Sequence, residues 1–157
     1  DKNIDITESV IKNLHYIILK TINNENAGRY RNVNVLISAS KHRPPEHFLV
    51  PQEMEDLIKW YDENRNKLHP IKLAAEFHHK FTFIHPFIDG NGRCGRLLMN
   101  LILMRCGYPI TVIRMEDRNE YMSALEKASV ENNLEDFIGI VAAAVNRSLD
   151  TYLYILK

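Results

Sequence analysis

Apolar residues recur at helical spacing over most of this chain. Across residues 4–22, Val10, Ile11, Leu14, Ile17 and Ile18 fall near one face, which predicts a first helix. The polar stretch NNENAGRYRN interrupts it, with Gly28 as the hinge. The pattern then changes. VNVLI at 33–37 and FLV at 48–50 read as short strands around SASKHRPPEH, predicting a small hairpin over about 33–50. Pro44 and Pro45 stiffen that connection and remove two backbone donors. Helical spacing returns in Met54, Leu57, Ile58 and Tyr61, with Pro51 suited to a first turn. After a polar break, Pro70 opens a helix with Leu73, Ala74, Phe77 and Phe81 as its stripe. It should stop at His85, because Pro86 disfavours α conformation in the residue before it.

A loop, PFIDGNG, leads into a helix over Arg93–Cys106 that turns Leu97, Leu98, Leu101, Ile102 and Met104 inward, with Gly107 as its C′ residue. Residues 108–113 read as extended. Asp117 and Glu120 are spaced as a capping box for a helix running to about Ser129. Asn133, with Asp136 three residues on, caps a last helix carrying Phe137, Ile140, Val141, Ala144, Leu149 and Leu153. The expectation is a mainly helical, all-α domain with one β excursion and no internal repeat.

Composition narrows the function classes. A chain of 157 residues makes one domain, 1–157, and 45% hydrophobic residues can fill its core. Twenty Lys plus Arg against twenty Asp plus Glu give zero formal charge, so neither a nucleic-acid nor a membrane partner is expected. No apolar run reaches the roughly 20 residues that span a bilayer. Cys94 and Cys106 are too few for a disulfide scaffold or a structural zinc site and read as free thiols. The sequence opens on Asp1, so the expectation is a piece of a longer protein, with a cytoplasmic location as the default.

The segment HPFIDGNGRCGR, residues 85–96, concentrates the chemistry. Gly90, Gly92 and Gly95 let backbone approach a ligand closely. The N–H groups opening the following helix lack intrahelical partners and, with the helix dipole, favour an anion. Arg93 and Arg96, three apart, share a face there, and two cations beside an anion site suit a polyphosphate. Asp89 offers a hard oxygen for Mg²⁺, which usually also binds substrate phosphates. His85 is the acid–base candidate, and Phe87 reads as a core anchor that fixes the loop. The spacing fits neither a Walker A loop nor a dinucleotide fingerprint.

This string resembles the signature of the Fic family (filamentation induced by cyclic AMP). His85, Phe87, Asp89, Gly90, Asn91, Gly92, Arg93 and Arg96 occupy all its fixed positions. GRYR at 28–31, the PP before FLVP, HPI at 69–71 and LLMNLILMRCGYP extend the likeness from about residue 8 to 150. It looks most like the branch that includes the animal endoplasmic-reticulum member and has an N-terminal inhibitory helix.

The resemblance implies transfer of AMP from ATP to a Ser, Thr or Tyr hydroxyl of a target protein, with Mg²⁺ and loss of pyrophosphate. It implies that His85 deprotonates the hydroxyl and that Asp89 holds the metal. Gly90, Asn91 and Gly92 would cradle the α-phosphate region, with Arg93 on the β-phosphate and Arg96 on the γ-phosphate. Tyr121, Leu125 and Ser129 fall where relatives build the adenine side. Residues 33–50 match the family's β-hairpin flap, which would dock the target by strand pairing. A monomer or weak homodimer is implied.

Two other readings stay open: a Fic-fold enzyme that removes AMP or transfers another phosphate-containing group, and a non-enzymatic binding module. The family's inhibitory motif, Ser or Thr, three residues, Glu, then Gly or Asn, is not matched: Ile4 stands four before Glu8 and Lys127 four before Glu131. An inhibitory segment is therefore expected upstream or on another protein.

Overall fold

The computed structural model describes residues 5–156. Residues 1–4 and 157 lie outside them, including Ile4 at the start of the expected first helix. Among the described residues six α-helices form in chain order: α1 (Glu8–Leu19), α2 (Val50–Asn64), α3 (Pro70–Ile84), α4 (Asn91–Arg105), α5 (Arg118–Glu131) and α6 (Glu135–Ile155). Their ends follow local chemistry. The Thr7 hydroxyl accepts from the Val10 N–H to cap α1, and α2 and α3 both have proline at their starts. α4 closes with Gly107 at φ +86, while Gly107 and Tyr108 N–H groups bond back to Met104 and Leu103 carbonyls.

α3 is the central element and packs on α2, α4, α5 and α6, while α1 lies across α4 and α2. A helix with neighbours on several sides buries more than one stripe. Leu73, Ala74, Phe77 and Phe81 are enclosed as expected, and so are His78 and His79. The phenylalanines at 77, 81, 87 and 137 are fully buried and form the aromatic centre of the core. At the α3–α4 crossing, a Cβ on Gly95 would stand only 2.7 Å from His78 Nδ1, so the close approach requires glycine.

The expected hairpin is not there: among the described residues no strand forms, and the fold is wholly helical. Residues 33–46 run as irregular chain, His47–Leu49 make a 3₁₀ turn, and Val50 begins α2. The FLV run is thus a helix entry, directed by Pro51 in the first turn. Side chains take the place of a strand partner. Arg31 donates to the Val33 and Pro45 carbonyls, the Asn34 carbonyl oxygen accepts from the His47 N–H, and Glu126 accepts from the Lys41 N–H and the Ser40 hydroxyl.

Smaller differences follow from packing. The inward face of α1 is Ile11, His15 and Leu19, whereas Ile17 is 62% exposed. Leu97 and Met104 face outward on α4. Asp117 sits at the α5 N-cap, but its carboxylate binds Arg147 on α6 instead of the helix amides. Asn133 does accept from the Glu135 N–H at 3.0 Å.

Candidate active site

The glycine-rich segment joins α3 to α4 at the centre of the molecule. α3 stops at Ile84, and His85 caps it in the left-handed region, φ +51 and ψ +59. That conformation is uncommon for a residue with a Cβ, and Pro86 adds to the crowding. The surroundings impose it. The buried Arg31 guanidinium donates from Nε to the His85 carbonyl (2.8 Å), and the Arg31 backbone N–H donates to the Pro86 carbonyl (2.9 Å). The same side chain holds Val33 and Pro45, so one arginine ties the 33–46 segment to the end of α3.

The next turn is fixed from two sides. Phe87 is fully buried, and the Asn91 side chain brackets its backbone: Oδ1 accepts from the Phe87 N–H at 2.9 Å, and Nδ2 donates to the Phe87 carbonyl at 2.8 Å. Both polar ends of the Asn91 amide are thereby engaged within the loop. On the other side His15 stacks on Phe87 and bonds the Asp89 carbonyl. Gly90 then takes φ +79 as the N-cap of α4, a conformation glycine enters at little cost.

A cavity of about 540 Å³ opens beside this junction. His85, Gly92 and Arg96 line it together with Thr82, and α5 contributes Tyr121, Met122, Leu125, Glu126, Ser129 and Val130. Residues 37–42 form its remaining wall. Asp89, Gly90, Asn91 and Arg93 do not line the cavity. Asp89 lies at the outer side of the turn, where Oδ1 accepts from the Gly90 N–H at 2.6 Å and Oδ2 pairs with Arg93 at 3.2 Å.

Electrostatics separate the ionisable groups. Burial holds the His85 imidazole below its usual 6.5, Arg31 pushes the same way, and the Thr82 carbonyl and Asp89 oppose it. Its Nδ1 is enclosed without a hydrogen-bond partner, and the residue lines the cavity. Among the described residues, no carboxylate lies within ion-pair distance of Arg96. Glu8, the acidic residue in the first turn of α1, accepts from the Tyr30 hydroxyl at 2.8 Å.

The residues fit a metal–nucleotide ligand. The opening amides of α4 point to an anion, a Cβ on Gly92 would meet only Arg96 Nη1 at 3.5 Å, and Asp89 supplies one hard oxygen. Among the described residues no cluster of three or more ligating side chains could hold a metal alone. One carboxylate suits Mg²⁺ that completes its shell with phosphates and water.

On the opposite wall, Tyr121 is almost fully buried with its hydroxyl 2.6 Å from His78 Nε2, and Met122 beside it is 47% exposed and faces the cavity. Ser129 lines the cavity while its hydroxyl lies 3.1 Å from His79 Nε2. His15, Arg31, Met122 and Glu126 were not singled out from sequence. His15 sits a turn from both Ile11 and Leu19 on an apolar face, and Arg31 lies within the GRYR run, so both left a local signal. Glu126 left none, because its partners are 85 and 86 positions away.

Known proteins are similar to this chain in sequence and in fold. The protein adenylyltransferase Fic of Nematostella vectensis is 40% identical over 153 residues, covering 97% of this chain and 35% of that protein. Its counterpart from Drosophila yakuba is 38% identical, covering 98% and 30%. The chain thus spans about a third of the length of these relatives. Among solved structures, Fic-1 (residues 134–508) of C. elegans superimposes with a TM-score of 0.88 at 33% identity, over 97% of this chain and 44% of that one. A Fic domain containing signaling protein from Bacteroides thetaiotaomicron gives 0.86 at 33% identity, over 96% and 63%. The Fic/DOC family matches residues 5–103, which takes in α1, the Arg31 tie and the whole of the His85–Arg96 segment, and the chain belongs to that family.

Proposed function

We propose that this domain transfers AMP from ATP to a Ser, Thr or Tyr hydroxyl of a target protein, releasing pyrophosphate. The observation that carries the reading is the shared cavity. It places His85, a base held neutral by burial, beside Arg96 and the N-terminus of α4, with an apolar wall of Met122, Leu125 and Val130 across from them. A nucleotide needs both an anion cradle and a surface for its base, and the cavity offers the two at opposite ends.

In this reading His85 Nε2 takes the proton of the incoming hydroxyl, which is a poor nucleophile until that proton is accepted. The α4 amides and Gly92 bind phosphate oxygens, and Arg96 neutralises charge gathering on the leaving pyrophosphate. Asp89 would hold Mg²⁺, which when bound supplies further neutralisation of the phosphates. Arg93, which pairs with Asp89 at 3.2 Å, would be free to hold a phosphate where that carboxylate holds Mg²⁺. The side chains of Val33, Leu36, Phe48 and Leu49 are exposed along 33–49 and supply an apolar surface for the target protein.

The test is His85→Ala with labelled ATP and Mg²⁺. Transfer should fall by about 10²–10⁴-fold while nucleotide binding and thermal midpoint stay near those of the unaltered chain. Undiminished transfer would remove His85 from the reaction. Release of AMP from a premodified protein, without transfer, would favour removal as the activity.

A further inference from the structure

A fully buried imidazole must satisfy two different ring nitrogens, and His15 does so with two separate parts of the chain. The Gly28 N–H donates to Nδ1 at 2.9 Å, so Nδ1 keeps a lone pair and the ring proton sits on Nε2. Nε2–H then donates to the Asp89 carbonyl at 2.8 Å. The ring lies flat on Phe87, with centroids 3.6 Å apart and planes 2° from parallel. Gly90 passes against its edge, where a Cβ would stand 3.3 Å from Nε2.

Each side of this arrangement has a distinct character. Gly28 is pressed onto α1 at φ +70, where a Cβ would lie 2.9 Å from the Lys12 carbonyl oxygen. That side is rigid scaffold. The other side is the active-site turn from Phe87 to Gly90. One peptide unit there, between Asp89 and Gly90, is held at both ends: its carbonyl by His15, and its N–H by the Asp89 carboxylate at 2.6 Å. Rotation of that peptide would swing the carboxylate and the first amides of α4 together. Stacking on Phe87 tolerates sliding of one ring over the other; the directed bond to the carbonyl does not.

We infer that His15 is a positioning residue for the reaction, its Nε2–H tautomer fixing the Asp89–Gly90 peptide and thereby the aim of the Asp89 carboxylate and of the amides opening α4. This rests on the adenylyltransferase reading above. Partners that orient a metal-holding group typically matter 10–100-fold for affinity or activity, although they touch neither metal nor substrate.

His15→Phe keeps a flat ring on Phe87 and removes both hydrogen bonds. Titration with a non-hydrolysable ATP analogue, with and without Mg²⁺, should show a modest loss of Mg²⁺-free affinity and, beyond it, a loss of about 10-fold or more in the gain that Mg²⁺ confers. AMP transfer should lose about 10–100-fold in kcat/KM, with the KM for ATP rising as the Mg²⁺-dependent affinity falls. An Mg²⁺-dependent gain equal to that of the unaltered chain would overturn the inference. Ring ¹⁵N spectra of the unaltered chain decide the tautomer without any substitution: a proton on Nε2 is expected, and a proton on Nδ1 would overturn it. If the unaltered chain transfers no AMP, the functional reading fails, while the Mg²⁺ titration and the ring spectra still judge His15.

Discussion

Protonating His85 would remove the lone pair that the proposed reaction needs, so its environment sets the acid limit of activity. Burial disfavours the imidazolium and is the largest influence on it, with Arg31 adding to it. The neutral form therefore persists to lower pH than for a free histidine. kcat/KM for AMP transfer should be level through neutrality and fall on the acid side with a midpoint below 6.5. A midpoint above 6.5 would mean that the base is stabilised in its charged form, against the structure. The left-handed backbone at His85 belongs to the same design. Such strain persists where surroundings over-determine it, and here the Arg31 bonds to the His85 and Pro86 carbonyls do so. The base is thus held by a residue that touches no substrate.

The contact between α3 and α4 carries the site, because one helix ends at His85 and the other begins at Asn91. Gly95 sets their separation. Gly95→Ala would drive a methyl into His78, whose ring is enclosed and cannot retreat, and should destabilise the fold by about 1–3 kcal/mol in a denaturant titration. Unchanged stability would show that the two helices can part. The helices themselves were legible in the sequence because their boundaries are local chemistry: Pro51, Pro70, Pro86 and Gly107 act within a turn of where they stand. The signature segment was legible for the same reason. The 33–50 segment was not. VNVLI has the composition of a strand, but the Val33 carbonyl is met by Arg31, the His47 N–H by the Asn34 side chain and the Lys41 N–H by Glu126, and periodicity cannot report an acceptor 85 positions away. Counting apolar residues also passed over His15 and favoured Ile17. Glu126 is the clasp that replaces strand pairing. Glu126→Ala should leave the core intact and raise hydrogen exchange and proteolytic cutting around Ser40–Lys41; protection equal to that of the unaltered chain would show that other contacts hold the segment.

Across the whole molecule, buried histidines without carboxylate partners give stability a pH dependence of definite sign. His78 and His79 lie side by side on α3, and both are enclosed. His78 Nε2 meets the Tyr121 hydroxyl and His79 Nε2 the Ser129 hydroxyl, neutral partners that cannot balance an imidazolium. Burial is the main cause that brings each down to about 4; Arg96 acts the same way on His78, against the Gly95 backbone, and Lys80 on His79. In the unfolded chain both titrate near 6.5. Between those values the unfolded state binds more protons than the folded one, so unfolding becomes easier as pH falls. Stability should be level above about pH 7 and decline from 6.5 towards 4, by up to on the order of 3 kcal/mol for each histidine. The surface ion pairs, such as Lys59 with Glu55 and Lys127 with Asp136, are exposed and contribute little over that range. Glu126, held below its usual range by the Ser40 and Lys41 bonds, loses its contribution only at lower pH, where carboxylates protonate. Denaturant titrations at half-unit steps from pH 7.5 to 4.5 measure the slope directly. His79→Asn, which keeps a polar partner for Ser129 and removes one titrating ring, should flatten it in part, because His78, His15 and His85 are also held below 6.5. A slope of zero between pH 7 and 5 would mean that these two rings are not held neutral in the folded core.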